Sequence, residues 1–340
     1  MRLTEPVGLS GMTTWIPRTT QTVDRAVAEG LVDPDTAAEL GYSELPVEPR
    51  ESPPRMAVLA ALDCLDRTGE DPARVGLVLH AWIHYQGHDL WSPAHYVADQ
   101  VGARDGLPIG IQQICNGGAA AVETAIARLV ADPDLELALV TTGDRFPDGA
   151  FDRWSGDYGM AYGDGATAVL LHRADTRRPD LFLHAVESTA APRLEGMHRG
   201  RDPFGAVPRS VSARIDVRRT KRAYFEEGGK EAFMADSRSC LHEVVRRCLA
   251  AGGVDGADPR LRHVALPRLG RTTLEEAYVK PLAEVTSAPP LLLGESTGHL
   301  GAGDAVAGLA ELSAVLEPGE YGLVISAGAG FTWSCLLVSR

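Results

Sequence analysis

The sequence predicts an α/β protein of layered strands and helices, and three observations carry that expectation. Short apolar runs alternate with stretches of helical periodicity along most of the chain. Of its 340 residues 44% are hydrophobic, enough for a large core and for one big domain or two pseudo-domains. Two distant segments, "GDGATAVLLHR" (163–173) and "GAGFTWSCLLVSR" (328–340), share a glycine-rich turn and an apolar strand closing in arginine, which points to an internal duplication.

In chain order, "VGLVLHAWI" (75–83) reads as a strand. "IGIQQIC" (109–115) reads as a second, running into "GGAAAVETAIARLVA" (117–131), whose strong helix formers and apolar spacing predict a helix. "LELALVTTGD" (135–144) is a buried strand ending in a turn, and 163–173 is a strand entered through glycine. The segment 188–222 is rich in Pro, Gly and Arg and has little periodicity, so it reads as a linker, a lid over a pocket or a partner-facing loop. "EAFMADSRSCLHEVVRRCLAAGG" (231–253) is a long helix closed by glycine, and "LRHVALPRLG" (261–270) is a strand ending at Pro267. "DAVAGLAELSAVLEPGE" (304–320) is a helix with Asp304 placed to cap its N-terminus. The expected division is an N-terminal half, 1–187, the connecting segment 188–222 and a C-terminal half, 223–340.

A net charge of −13 argues against general nucleic-acid binding, which needs a positive footprint. Five scattered cysteines do not suggest a disulfide framework. The N-terminus lacks the charged and apolar regions of a signal peptide, and no run of about 18 apolar residues exists; a cytoplasmic protein without a membrane span is expected. His84, His88 and His95 lie in a stretch that reads as loop, with no thiol or carboxylate at fixed spacing, so no metal site is expected.

Two places carry chemistry. Cys115 sits at a strand-to-helix junction followed by Asn116, Gly117 and Gly118, where the unpaired N–H groups and positive end of a helix favour thiolate and small residues admit a substrate. Cys64, Cys240, Cys248 and Cys335 lie among apolar neighbours and read as core. The loop "ESTGHLGAGD" (295–304) offers a base, His299, and a group to orient it, Asp304.

"ICNGGAAAVETAIARLV" resembles the active-site elbow of thiolase-fold enzymes, specifically β-ketoacyl-acyl-carrier-protein synthase III. "YGDGATAVLL" (162–171), "VALPRLGRTTLEEAYVKPL" (264–282), "GHLGAGDAVAGLAEL" (298–312) and "GAGFTWSCLLV" (328–338) resemble further family motifs, in family order and over nearly the whole chain. The resemblance implies duplicated α/β halves in a five-layered αβαβα arrangement and a homodimer formed through the first half. It also implies an acyl donor carried on the phosphopantetheine of an acyl carrier protein or on coenzyme A, with no permanently bound cofactor.

The sequence departs from the condensing members at two positions. Where they have a histidine, after Pro267, stands Arg268, and where they have an asparagine, after Gly298, stands His299. Arginine stays charged and cannot serve as a base near neutral pH, whereas His299 can. This arrangement resembles the family's acyltransferase offshoot in antibiotic biosynthesis. The resemblance implies a Cys115–His299–Asp304 triad moving an acyl group, a small aromatic such as methylsalicylyl or a malonyl, to a hydroxyl or amine of a sugar, aminocyclitol or polyketide. Backbone N–H groups of Cys115 and of the turn Gly328–Ala329–Gly330 are the expected oxyanion hole. Arg268, Arg271, Arg218, Arg219 and Arg222 are the candidates to receive the carrier protein or the pantetheine phosphate. The alternative is a condensing ketosynthase III selecting a polyketide starter unit.

Overall fold

A computed structural model describes all 340 residues. Its ten main strands are β1 (Arg2–Trp15), β2 (Val75–Ala81), β3 (Leu107–Ile111), β4 (Leu137–Asp144), β5 (Gly165–Arg173), β6 (Leu181–Ala190), β7 (Leu261–Ala265), β8 (Pro290–Leu291), β9 (Tyr321–Gly328) and β10 (Thr332–Ser339). The first five assemble in the order β1-β5-β4-β2-β3 and the last five in the order β6-β10-β9-β7-β8. Counted from its own first strand, each half therefore reads 1-5-4-2-3. The pairing senses also repeat: antiparallel, antiparallel, parallel, parallel. The duplication suggested by two similar strand endings is thus a property of the whole fold. An antiparallel β1/β6 ladder joins the halves.

Six longer helices complete the layers: α1 (Pro53–Thr68), α2 (Pro93–Val101), α3 (Gly117–Ala131), α4 (Val217–Glu226), α5 (Gly229–Gly252) and α6 (Asp304–Val315). α1 and α2 pack on the outer face of the first half-sheet through Met56, Val58, Val97 and Leu139. α5 does the same for the second half-sheet through Leu241, Val245, Leu323 and Leu337. Between the half-sheets lie α3 and α6, apolar on nearly all sides, sharing one core with strands of both halves. A helix that is hydrophobic all round must be buried, and these two are rich in Ala and Gly, which allows close approach. The layers are therefore α, β, α, β, α, the thiolase fold. No helix is long and apolar enough to cross a membrane.

Several boundaries differ from expectation. The strand expected over 109–115 stops at Ile111, because the chain turns at 113–116 to enter α3. The central strand β1 carries no alternating pattern, so periodicity does not mark it. Residue 188 falls inside β6, which continues to Ala190 beside β10. The rest of 188–222 holds two short turns of helix and the start of α4.

Candidate active site

The two middle helices begin side by side, and both candidate groups lie at their N-termini. Cys115 is half-buried at the entrance to α3. Ile114, just before it, has φ of 50°, a left-handed conformation that costs a β-branched residue on the order of 1–3 kcal/mol. The turn closes through Asn116 N–H to Gln113 O at 3.1 Å and Gly117 N–H to Ile114 O at 2.9 Å. Beneath it a polar chain crosses the core. Asn116 Nδ2 donates to Gln113 Oε1 at 2.6 Å and to Ser334 Oγ at 2.9 Å; Ser334 bonds Ser188 at 2.9 Å, and Ser188 donates to Glu123 at 2.6 Å. Sequence reasoning took Asn116 only as a small elbow residue. Ser188 on β6 and Ser334 on β10 are 146 residues apart and meet only through strand register, so no local signal marks this chain.

His299 precedes α6 and is 2% exposed. Its Nδ1 lies 2.6 Å from Asp304 Oδ2. Its Nε2 is buried without a hydrogen-bond partner, and Cys115 lies near enough to act on the ring. Burial works against a charged imidazole, but the Asp304 carboxylate and then Cys115 outweigh it and hold the His299 pKa well above its ordinary value. For Asp304, burial works to raise the pKa; the His299 and Arg268 charges overcome it, and the result lies below the ordinary carboxylate value.

The sequence offers Asp304 two roles, a helix cap and the group that orients His299. In the fold it is the first residue of α6, and its side chain makes no capping bond to that helix. Its oxygens turn back instead, accepting from Leu300 N–H at 2.9 Å, Arg268 N–H at 2.7 Å and His299. Three donors fix a buried carboxylate at one place and, through it, the imidazole.

Asp144 ends β4, where the sequence shows only a turn. It is fully buried and accepts N–H groups from Ile83 and His84 at 2.9 Å and from Ala302 at 2.9 Å, tying the 83–84 and 299–303 loops together. Burial pushes its pKa up to about 7. A side chain at Gly301, which has φ of 62°, would put a Cβ 2.3 Å from Asp144 Oδ2. Tyr162 stands edge-on to the His299 ring, with centroids 5.3 Å apart, and its hydroxyl donates to Asp157 at 3.1 Å. Asp157 is also paired with Lys221 of α4, and both are buried.

The turn Gly328–Ala329–Gly330 presses on the elbow: a Cβ at Gly328 would lie 2.6 Å from Gln113 O and 2.7 Å from Asn116 N. The candidate arginines do not form one group. Arg268 is buried at 2% exposure, with Nη2 3.6 Å from Glu311 on α6, so it is no part of a docking surface. Arg271 is exposed beside Gly41. Arg218, Arg219 and Arg222 lie together on α4 and border a surface cavity of about 320 Å³. There Arg219 pairs with Asp202, while Arg218 donates to Asp157 O and stacks over Tyr158. Of the three histidines weighed for metal, His84 packs against Phe146, His88 against Trp91, and His95 bonds Ser92. Cys64, Cys240, Cys248 and Cys335 are buried and free.

A doubled 1-5-4-2-3 sheet around two helices, with a cysteine at the start of one and an aspartate-backed histidine at the start of the other, defines a thiolase-fold protein. Residues 109–189, which include the elbow, match the family model of 3-oxoacyl-[acyl-carrier-protein (ACP)] synthase III. The structure described as "ChlB3 [Aceyltransferase]" is 31% identical, over 98% of this chain and 97% of that one, with a TM-score of 0.89. The β-ketoacyl-[acyl-carrier-protein] synthase III of Rhodospirillum rubrum is 28% identical over 83% of each chain. The synthase III structure from Aquifex aeolicus, 20% identical with a TM-score of 0.77 over 98% of this chain and 100% of that one, shares the fold. The chain belongs to the family of ketoacyl synthase III-like enzymes.

Proposed function

We propose that the protein is an acyltransferase that takes an acyl group from an acyl carrier protein or coenzyme A thioester onto Cys115 and passes it to a hydroxyl or amine of a small natural product. The observation that carries this reading is His299: its Nδ1 is held by Asp304 at 2.6 Å and its buried Nε2 is unpartnered beside Cys115. Asp304 thus orients the ring through Nδ1 and leaves Nε2 with no competing partner for proton exchange. The 31% identity to "ChlB3 [Aceyltransferase]" supports the same class.

The Cys115 thiolate attacks the thioester carbonyl, the oxyanion rests on N–H groups of Cys115 and the Gly328–Gly330 turn, and the pantetheine thiol leaves. The acceptor then enters, His299 takes its proton, the new C–O or C–N bond forms and the C–S bond breaks. Arg218, Arg219, Arg222 and Arg271, exposed or half-exposed, are the proposed surface for an acidic carrier protein. The buried Lys221–Asp157 pair makes α4 a wall of this site. The acyl group is a small aromatic or malonyl unit, and the acceptor a sugar, aminocyclitol or polyketide.

Intact-protein mass spectrometry after incubation with methylsalicylyl and malonyl thioesters tests the reading. The expected result is a mass gain that Cys115→Ala abolishes. The identity to the Rhodospirillum rubrum synthase favours a second reading, a condensing enzyme selecting a starter unit. Carbon dioxide release from a malonyl thioester, coupled to carbon–carbon bond formation, would establish it and overturn acyl transfer.

A further inference from the structure

We propose that Arg268 is a positioning residue that makes His299 a base in the acyl-enzyme, by balancing the charge of Asp304. The inference rests on the acyl-transfer reading above. Arg268 is 2% exposed, and its backbone N–H donates to Asp304 Oδ2 at 2.7 Å. Its guanidinium runs along α6, where the carboxylate nearest to it is Glu311, half-exposed and 3.6 Å away. Nε and Nη1 are buried with no partner. A cation so poorly neutralised in a low-dielectric interior acts on the next carboxylate, which is Asp304. A methionine would fill the same slot without leaving two buried N–H groups unpaired.

A charge count gives the consequence. In the acyl-enzyme the Cys115 sulfur is a thioester and carries no charge, so among His299, Asp304 and Arg268 a protonated imidazole would leave one net positive charge and a neutral one none. Without Arg268 the preference reverses, because Asp304 alone would hold the proton on His299 and leave no base. Other groups face the same ring: Tyr162 edge-on, and Asp144, whose charge reaches His299 from the end of β4. Tyr42 and Tyr278 feel the Asp304 charge and, mainly through burial, are held in their neutral form. Replacing Arg268 leaves all of these in place, so a difference between profiles reports the arginine.

The experiment isolates acyl-Cys115 enzyme, formed from whichever methylsalicylyl or malonyl thioester loads it, and follows its hydrolysis by water across pH by intact mass. In that step water gives its proton to His299, the C–O bond forms and Cys115 leaves as thiolate. In Arg268→Met the midpoint at which hydrolysis switches on is expected to rise by about one pH unit or more, with Arg268→Lys close to the native profile. Glu311→Gln, which frees more of the arginine's charge, is expected to lower the midpoint. A Met profile that superimposes on the native one overturns the proposal. If Arg268→Met does not fold, an unmoved midpoint in Glu311→Gln overturns it instead. Native enzyme that never forms acyl-Cys115 refutes the acyl-transfer reading itself, a separately visible outcome.

Discussion

Asp304 shows how much one carboxylate can organise. Its three donors come from the loop before α6, the loop after β7 and the imidazole, so removing its charge disturbs the orientation and the proton affinity of His299 together. Asp304→Asn is expected to lower the His299 titration midpoint, because burial then acts with less opposition; NMR of the imidazole reads this directly, and an unmoved midpoint would refute the assignment. The same pair predicts a pH window for stability. His299 has a raised folded pKa, so its contribution is complete below its unfolded value and is lost as pH rises through the folded value. Asp304 has a lowered folded pKa, so its contribution is present above its unfolded value and is lost as pH falls through the folded value. Urea unfolding of native and Asp304→Asn protein should therefore differ most between those limits and converge outside them. For catalysis, His299→Ala is expected to lower transfer by about 10²–10⁴-fold while Cys115 still loads measurably.

At the scale of elements, the site depends on backbones meeting closely. The β9–β10 turn touches the elbow through Gly328, where an added Cβ would meet the backbone of Gln113 and Asn116 and not a movable side chain. Gly328→Ala is expected to cost about 1–3 kcal/mol and to slow acylation, because the turn must retreat from the oxyanion position. Thermal unfolding and the rate of mass gain would show both effects; a variant that loads at the native rate would argue that these N–H groups are not the oxyanion hole. The elements themselves were largely legible: the alternation of apolar runs and helical periods located β2, β4, β5, α3, α5 and α6 within a few residues. The misplaced end of β3 has a local cause, since "QQIC" has strand composition but must turn to bring the thiol to the head of α3.

At the scale of the whole molecule, duplication explains why the site exists where it does. Two copies of one α/β unit bring the starts of α3 and α6 together, and each copy contributes one of the two candidate groups. The strand β3 ends the first half-sheet with Leu107 and, just beyond it, Ile114 exposed. Open edges with apolar side chains favour pairing, and we propose a two-fold homodimer across this edge. Sedimentation should give twice the chain mass, and Leu107→Lys should shift the equilibrium towards monomer; a native monomer at micromolar concentration would refute it.

What the sequence alone determined was chemical and periodic: the layered fold class, the thiol ahead of a helix, and a histidine and an aspartate five residues apart in a glycine loop. Side-chain identity and spacing encode these directly. What only the tertiary structure decided was partnership. The sequence offered Asp304 both as a cap and as the group that orients His299, and Arg268 among the arginines for the carrier or its phosphate; in the fold Asp304 bonds His299 without capping α6, and Arg268 is buried. The serine row under the elbow, Asp144 between two loops and Lys221 on Asp157 likewise join residues tens to hundreds of positions apart. Such contacts are set by how strands register and helices stack, which no local pattern records.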